Sequence, residues 1–220
     1  MSIAGNIADV RRRIAEACAR SGRDPSGVKL ISVTKTVEIA RIQEALASGI
    51  TAIGENRLQE AMDKFDRLDL RGIERHFIGN LQTNKVRSAV DYFDVLQSVE
   101  TLKVAKEIDK RAYAAEKIMP VFIEVNIGGE ESKHGIEPEK AEGFHRKLLT
   151  FRNIRVEGLM TVAPLVPAEE TRPHFKEMRR LQERLGVKSL SMGMSNDFEV
   201  AIEEGSTMVR LGTAIFGQRR

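Results

Sequence analysis

The sequence predicts an α/β protein built as a single (β/α)8 barrel over residues 1–220. Two observations predict this fold. Short β-branched, apolar runs alternate with longer amphipathic runs, which is the order that parallel strands joined by helical crossovers require. The apolar runs number about eight, enough to close a parallel barrel, and 220 residues suffice for one such domain.

Each predicted strand is a short apolar run, and each predicted helix is a longer run with apolar residues on one face. The strands are predicted at 28–34, 51–54, 75–79, 92–99, 118–126, 154–160, 189–193 and 207–212. The helices between them are predicted at 38–48, 56–68, 82–90, 100–117, 138–150, 169–185 and 197–204. A further helix is predicted at the N-terminus, where Ile3, Ile7, Val10 and Ile14 recur at helical spacing. We expect it to cover the gap that an eighth crossover helix would fill.

Composition excludes several classes of protein. Hydrophobic residues make up 41% and charged residues 30% of the chain, so neither disorder nor a membrane protein is predicted. The formal charge is +3, but the 35 basic residues are interleaved with 32 acidic ones, which argues against a nucleic-acid partner. Cys18 is the single cysteine, so no disulfide within the chain and no thiolate metal site are expected. A cytoplasmic location fits, since the N-terminal segment lacks the apolar core of a secretory signal.

Polar residues recur where the predicted strands end. In a (β/α)8 barrel these ends and the loops after them form the active-site face, so each is a candidate for binding or catalysis. Helix caps and turns explain some of them equally well, Asn56, Asn80 and Asn126 in particular. The candidates are Lys35, Glu55, Asn56, His76, Asn80, Gln97, Asn126, Thr161, Ser195 and Arg210.

Lys35 follows the apolar run LISVT, so its side chain either reaches outwards or projects into the mouth of the barrel. A partly desolvated lysine loses its proton more readily, and the neutral amine can attack a carbonyl to form a Schiff base. A lysine at a strand end is by itself more often a surface charge. The residues after the last two strands favour the Schiff-base interpretation of Lys35 over a surface charge.

Two glycine-containing loops predict a phosphate site after the seventh and eighth strands, where barrels often bind phosphate. In SMGMSND, Gly193 permits a tight turn and Ser195 offers a hydroxyl. In RLGTAIFG, Gly212 lets the backbone approach an anion and Thr213 adds a second hydroxyl. A lysine facing a phosphate site indicates a phosphorylated aldehyde, for which pyridoxal 5′-phosphate is the first candidate. A class I aldolase acting on a sugar phosphate would need the same arrangement.

Several segments of the chain closely resemble the pyridoxal phosphate homeostasis protein family. The resemblance covers nearly the whole chain, and the family shares its barrel with the N-terminal domain of alanine racemase and with eukaryotic-type ornithine decarboxylase. The segments are LISVTKTVEIARIQEALASGITAIGENRLQEAMDK, HFIGNLQTNKVR, FIEVNIGGEESKHGI, GLMTV and SMGMSNDFEVAIEEGSTMVRLGTAIFG.

The resemblance implies a role for each matching residue. Lys35 matches the lysine that carries pyridoxal 5′-phosphate as a Schiff base, and Arg210 matches the arginine that faces the pyridine nitrogen. The resemblance also implies phosphate contacts from Ser195, from the backbone amide of Met194, and from Gly212 with Thr213. Asn56 and His76 match polar residues that line the family's cofactor pocket.

The same residues favour binding over rapid catalysis. An arginine beside the pyridine nitrogen disfavours its protonation, which makes the ring a weaker electron sink. Racemisation tolerates this, but it needs a second acid or base, which in the racemases is a tyrosine of an additional domain. Tyr92 and Tyr113 are predicted to be packing residues, and His76 is a weak candidate for that base. A slow amino-acid racemase nevertheless stays an alternative.

Partners and assembly follow from the same considerations. Pyridoxal 5′-phosphate and the apoenzymes that use it are the expected partners, and without the racemases' second domain we predict a monomer. Glu130, Glu131, Ser132, Lys133 and His134 form a predicted exposed loop after the fifth strand. A solvated lysine is expected at position 133, and a role in cofactor release or a second, weaker contact with the cofactor is the alternative.

Overall fold

Eight parallel strands close into a barrel in the computed structural model, which describes residues 2–130 and 133–218. The strands pair in sequence order, and β8 pairs back with β1. This confirms the predicted fold class. The strands are β1 Lys29–Val33, β2 Ala52–Glu55, β3 Glu74–Phe77, β4 Val95–Val99, β5 Met119–Glu124, β6 Ile154–Met160, β7 Ser189–Ser191 and β8 Met208–Leu211.

Helices surround the barrel and cover the outer faces of its strands. Each predicted helix is present in the described part of the chain, with bounds that differ by a few residues. The helices are α1 Ile3–Arg20, α2 Ile39–Ala47, α3 Leu58–Phe65, α4 Val86–Tyr92, α5 Leu102–Ala114, α6 Ala141–Leu148, α7 Arg172–Leu185, α8 Phe198–Glu203 and α9 Thr213–Phe216.

The N-terminal helix occupies the expected place. Between β8 and residue 218 the chain forms only the four-residue helix α9, which is too short to cover the neighbouring strands. Helix α1 packs against α2, α8 and α9, and Asn6 Nδ2 donates a hydrogen bond to the carbonyl oxygen of Ile215 at 2.8 Å. The prediction that α1 fills the gap of an eighth crossover helix is therefore confirmed.

The largest difference from the predicted bounds lies between β3 and β4. The helix predicted at 82–90 begins at Val86, after a single 3₁₀ turn, and continues to Tyr92. The strand predicted to start at residue 92 consequently starts at Val95. Phe93 lies between the two elements and is buried, with its ring against those of Phe65 and Phe77 at centroid distances of 5.3 and 5.2 Å.

The barrel has an apolar outer layer and a mixed interior. The main core fills the space between strands and helices, as expected for strands that are buried on both faces. Inside the barrel, Val95, Phe122 and Met160 form a separate apolar cluster with Met208. Polar side chains such as Gln97 are fully buried beside it, and each needs a hydrogen-bond partner within the protein.

No helix in residues 2–130 and 133–218 combines the length and the apolar character that crossing a membrane requires.

Candidate functional site

A cavity of about 450 Å³ opens at the carboxyl ends of the strands. Seven of the eight predicted site residues line it, because a closed parallel barrel brings all its strand ends to one rim. His76 is the exception. The predicted residues in the lining are Lys35, Asn56, Met194, Ser195, Arg210, Gly212 and Thr213.

Lys35 reaches this cavity from the turn that follows strand β1. Val33, the last residue of β1, and Lys35, two residues later, both line the cavity. Lys35 is half-buried, whereas Thr36 beside it is exposed. Thr36 has a φ of 58°, a left-handed conformation that is unusual for a β-branched residue. The turn after β1 is therefore held in a specific, strained shape directly beside Lys35.

Two loops meet at the side of the cavity where the phosphate site was predicted. Ser195, after β7, accepts a hydrogen bond at its Oγ from the backbone N–H of Ala214, after β8, at 3.1 Å. Because this bond uses only a lone pair, the hydroxyl proton of Ser195 remains a donor. Gly193 has a φ of 94°, and a Cβ atom there would lie 2.7 Å from Ala201 Cβ. Only glycine fits at this point.

Met194 lies in the same loop, but its backbone amide already has an acceptor. Its N–H donates to Asp197 Oδ1 at 2.6 Å, so the amide is not directed at an anion in this structure. Burial raises the pKa of Asp197, while the Met194 amide and the charge of Arg210 oppose that rise. Asp197 immediately precedes α8 and also lines the cavity.

Arg210 lies at the base of the cavity with its guanidinium group fixed. One terminal nitrogen donates to the Ser191 carbonyl oxygen at 2.7 Å and to Ser191 Oγ at 2.8 Å, and the other donates to the Thr161 carbonyl oxygen at 2.7 Å. Burial lowers the pKa of Arg210 to about 10, and the nearby carboxyl groups of Glu124 and Asp197 oppose that fall. Arg210 therefore stays positively charged near neutral pH.

Glu124, at the end of β5, lies near the positive charge of Arg210. Burial raises its pKa to about 7, repulsion by Glu100 adds to the rise, and attraction by Arg210 reduces it. A carboxyl group with this pKa is partly neutral at physiological pH. The sequence pattern drew no attention to Glu124, because the fifth strand was predicted to continue to residue 126, which placed Glu124 inside the strand and not at its end.

His76 lies deeper in the barrel and is fully buried. Its Nδ1 is 2.8 Å from Gln97 Nε2, and its Nε2 is 3.0 Å from the carboxylate of Glu74 at the start of β3. Gln97 Oε1 in turn accepts from Ser191 Oγ at 2.6 Å. Through Gln97 and Ser191, His76 is thus linked to Arg210 without lining the cavity itself.

Asn56 contributes an unpaired acceptor to the cavity. Its Oδ1 atom is buried and has no hydrogen-bond partner in the described part of the chain. Buried polar atoms of this kind are rare in native proteins, and one in a binding site is typically completed by a bound molecule. The remaining strand-end candidates serve the fold or hold loops; Thr161, for example, donates through its hydroxyl to the Val125 carbonyl oxygen at 2.7 Å.

The loop after β6 and Lys133 complete the lining, and neither was predicted to do so. Val162, Leu165 and Val166 line the rim, and Leu165 is 87% exposed. Lys133 Nζ donates to the Ala163 carbonyl oxygen at 3.0 Å and pairs with Glu130 at 2.6 Å, so the expectation of a solvated lysine is wrong. Glu131 and Ser132 lie outside the described residues.

Other parts of the described chain are weaker candidates for the site. A cavity of about 670 Å³ opens at the opposite end of the barrel, lined by residues that include Arg11, Lys29 and Thr207. Conserved chemistry in barrels is found at the carboxyl ends of the strands, whereas the amino ends contribute to stability. No group of three or more metal-binding side chains occurs in residues 2–130 and 133–218.

Comparison with known proteins agrees with this geometry. The family model described as alanine racemase, N-terminal domain, matches residues 6–220. A pyridoxal phosphate homeostasis protein of Aquifex aeolicus is 42% identical over the full length of both chains. The chain belongs to the pyridoxal phosphate homeostasis protein family.

Solved structures support the same assignment. PipY of Synechococcus elongatus PCC7942, solved with PLP bound, has a TM-score of 0.85 and 33% identity, and the match covers 98% of this chain and all of that one. An alanine racemase of Clostridium difficile 630 has a TM-score of 0.74 at 15% identity, and only 57% of that chain is covered. The second likeness concerns the fold alone, and it confirms that the barrel is of the alanine racemase N-terminal type.

The pKa of Glu124 leads to a prediction about stability. The pKa of this carboxyl group is about 7 in the folded protein and 4.5 in the unfolded chain, so the folded protein keeps the proton up to a higher pH. Its contribution to stability is complete below pH 4.5 and is lost as the pH rises through 7, by up to about 3 kcal/mol. Glu124→Gln should remove this part of the pH dependence. Urea unfolding of both proteins across that pH range measures it, and parallel pH profiles would contradict the assignment.

Proposed function

We propose that this chain binds pyridoxal 5′-phosphate in the cavity at the carboxyl ends of its strands, as a Schiff base on Lys35, and takes part in intracellular homeostasis of that cofactor without strong catalytic activity. One observation carries the proposal. Lys35, the hydroxyl groups of Ser195 and Thr213, and the guanidinium group of Arg210 converge on a single cavity. The relative PipY, solved with PLP bound, supports the choice of cofactor.

The groups in the cavity fit this cofactor chemically. A lysine suits an aldehyde, while hydroxyl donors and a glycine suit a phosphate. We assign the phosphate to Ser195, Gly212 and Thr213. The unpaired Oδ1 of Asn56 is an acceptor that a ring hydroxyl can satisfy. A volume of about 450 Å³ is within the range of small-molecule sites.

Lys35 is placed to hold the aldehyde of this cofactor. Its amine is half-buried in the cavity that also contains Arg210. The cofactor would supply an aldehyde carbon that a lysine amine can attack, and Lys35 would hold it there as a Schiff base.

Arg210 disfavours the chemistry of an active transaminase. Its guanidinium group is held in place by Ser191 and the Thr161 carbonyl oxygen, and it stays charged near neutral pH. We propose that it faces the ring nitrogen, where a fixed cation opposes protonation of that nitrogen. His76 then acts indirectly, by orienting Gln97 and Ser191 behind Arg210.

The proposed absence of rapid turnover also rests on the lack of a second base on a tyrosine. Tyr113 is 73% exposed on the outside of α5, and Tyr92 packs against the main core. Both are therefore remote from the lining of the cavity. Met194 contacts a phosphate through its amide only if that amide leaves Asp197, so we rank it below Ser195 as a ligand.

Lys35→Ala is the first test. The wild-type protein should show a visible absorption band with pyridoxal 5′-phosphate, and borohydride reduction should leave a pyridoxyl group on Lys35; the variant should show neither, since it lacks the amine. Absorption spectra and peptide mass analysis measure both. A wild-type protein without the band would contradict the proposal, and trapping of a sugar phosphate on Lys35 would favour an aldolase. Solvent exchange at an amino acid's α-carbon, abolished by Lys35→Ala, would favour a slow racemase.

Ser195→Ala combined with Thr213→Val tests the phosphate assignment. Each change removes one hydrogen-bond donor to a charged group, a bond worth about 1.5–3 kcal/mol, so the dissociation constant should rise about 100-fold or more. Titration monitored by absorbance measures it, with Ser88→Ala on α4 as the surface control. Unchanged affinity would place the phosphate elsewhere. Sedimentation of the same samples tests the proposed monomer, and a dimer mass independent of concentration would contradict it.

Transfer tests the homeostasis role. Protein loaded on Lys35 should reconstitute an apoenzyme that requires pyridoxal 5′-phosphate, because a Schiff base exchanges with other amines and this cavity opens to solvent. Recovery of the recipient's activity and loss of the chromophore from Lys35 measure it, with free cofactor at equal concentration as the control. Cofactor that stays on Lys35 while the recipient stays inactive would show a storage protein without exchange.

A further inference from the structure

A buried group of charges lies under the turn that carries Lys35. We call it the Lys64 cluster; it consists of Thr34, Glu55, Glu60 and Lys64. Lys64 is 8% exposed and Glu55 is fully buried, although Lys64 belongs to helix α3 on the outside of the barrel. Lys64 Nζ is 2.9 Å from Glu55 Oε1 and 2.6 Å from Glu60 Oε1.

The Lys64 cluster binds the main chain on both sides of Lys35. Lys64 Nζ donates to the carbonyl oxygen of Thr34, immediately before Lys35, at 2.6 Å. The backbone N–H of Thr36, immediately after Lys35, donates to Glu60 Oε1, the same atom that pairs with Lys64. The two residues that flank Lys35 are thus tied to one ammonium group and one carboxylate of α3.

The Thr34 side chain also belongs to the Lys64 cluster, through a hydrogen bond to Glu55. Its hydroxyl donates to Glu55 Oε1 at 2.7 Å, and its backbone N–H donates to the Gly54 carbonyl oxygen at 3.0 Å. The φ of 58° at Thr36 is the conformation that these contacts must maintain, since a β-branched residue rarely adopts it unaided. The cluster therefore holds the turn in a shape that the chain disfavours locally.

Fold stability alone gives a poor reason for such a cluster. The free energy lost when an ammonium group and carboxylates leave water is about as large as the free energy gained from their attraction. Apolar residues of the same size often stabilise a protein equally well. Burial raises the pKa of Glu55, and its Oε2 atom has no hydrogen-bond partner in the described part of the chain. The cluster does, by contrast, make hydrogen bonds to the backbone on both sides of Lys35.

We propose that Lys64, together with Glu60, is a positioning residue that fixes the backbone on both sides of Lys35 and so sets how readily the Lys35 amine reacts in the cavity. This rests on the proposed function, in which Lys35 carries pyridoxal 5′-phosphate. Lys64 itself does not line the cavity, so it acts through the turn and not by contact with a ligand. A displacement of roughly 1 Å at a reacting group can cost on the order of 100-fold in rate.

The test separates attachment from binding. Lys64→Met and Glu60→Gln are compared with wild type and with Lys106→Met, which removes an exposed lysine from α5. The rate of pyridoxyl attachment to Lys35, trapped with borohydride, should fall about tenfold or more in both variants and stay unchanged in the control. Affinity for 4′-deoxypyridoxine 5′-phosphate, which has a phosphate but no aldehyde, should stay within about twofold of wild type, since it does not need Lys35.

A second readout uses the protein without cofactor. Hydrogen exchange at the Thr36 and Val37 amides should accelerate about tenfold or more in both variants, because the clamp on the turn is released. Lys64→Arg, which keeps a cation, should restore part of the attachment rate. If Lys64→Met does not fold, Glu60→Gln decides the question, since it leaves the Lys64 and Glu55 pair intact.

The outcomes distinguish this inference from the proposed function. If the wild-type protein attaches no cofactor to Lys35, the proposed function fails, while hydrogen exchange still tests the clamp. If attachment in wild type is normal and both variants attach at the wild-type rate, the positioning role is overturned. Equal losses of attachment and of analogue affinity would also overturn it, because they would show a general structural role.

Discussion

Closure of the parallel sheet is the constraint on which the rest of this structure depends. Every neighbouring pair of strands is parallel, and because β8 also pairs with β1 the sheet closes, so that all eight carboxyl ends meet at one rim. Residues as far apart in the chain as Lys35 and Thr213 therefore line the same cavity. The polar residues of that cavity come from β8 and from the turns and loops after β1, β2, β5, β7 and β8, while apolar residues of the strands pack against the helices.

Closure also creates an interior that must be filled, and this barrel fills it partly with polar groups. Glu74, His76, Gln97, Ser191 and Arg210 are joined by hydrogen bonds that run from the amino end of β3 to the base of the cavity. Such a network stabilises a fold only if its members are satisfied, and it then keeps them rigid. The fixed position of Arg210 is thus a property of the barrel interior.

The turn after β1 shows a second way in which the scaffold supports the site. Its strained residue, Thr36, lies beside the lysine that the proposed function requires, and the contacts that maintain it come from helix α3. Strain at functional sites persists where surrounding structure overdetermines the conformation. Here one contact from Lys64 and one from Glu60 restrain the two peptide groups that flank Lys35, and the two side chains also pair with each other.

The sequence alone determined the barrel, its eight strands and six of the residues that line the cavity, because apolar periodicity and glycine-rich loops are local signals. The same signals made pyridoxal 5′-phosphate the first candidate, and resemblance to a family added the part expected of Met194. Tertiary structure decided the rest. Only the fold shows that the amide of Met194 is engaged by Asp197, and that His76 points into the barrel interior. Only the fold shows that Lys64, on an outer helix, reaches the turn at Lys35. The direction of a side chain, its burial and its hydrogen-bond partners depend on residues far apart in the chain, and no local sequence pattern encodes them.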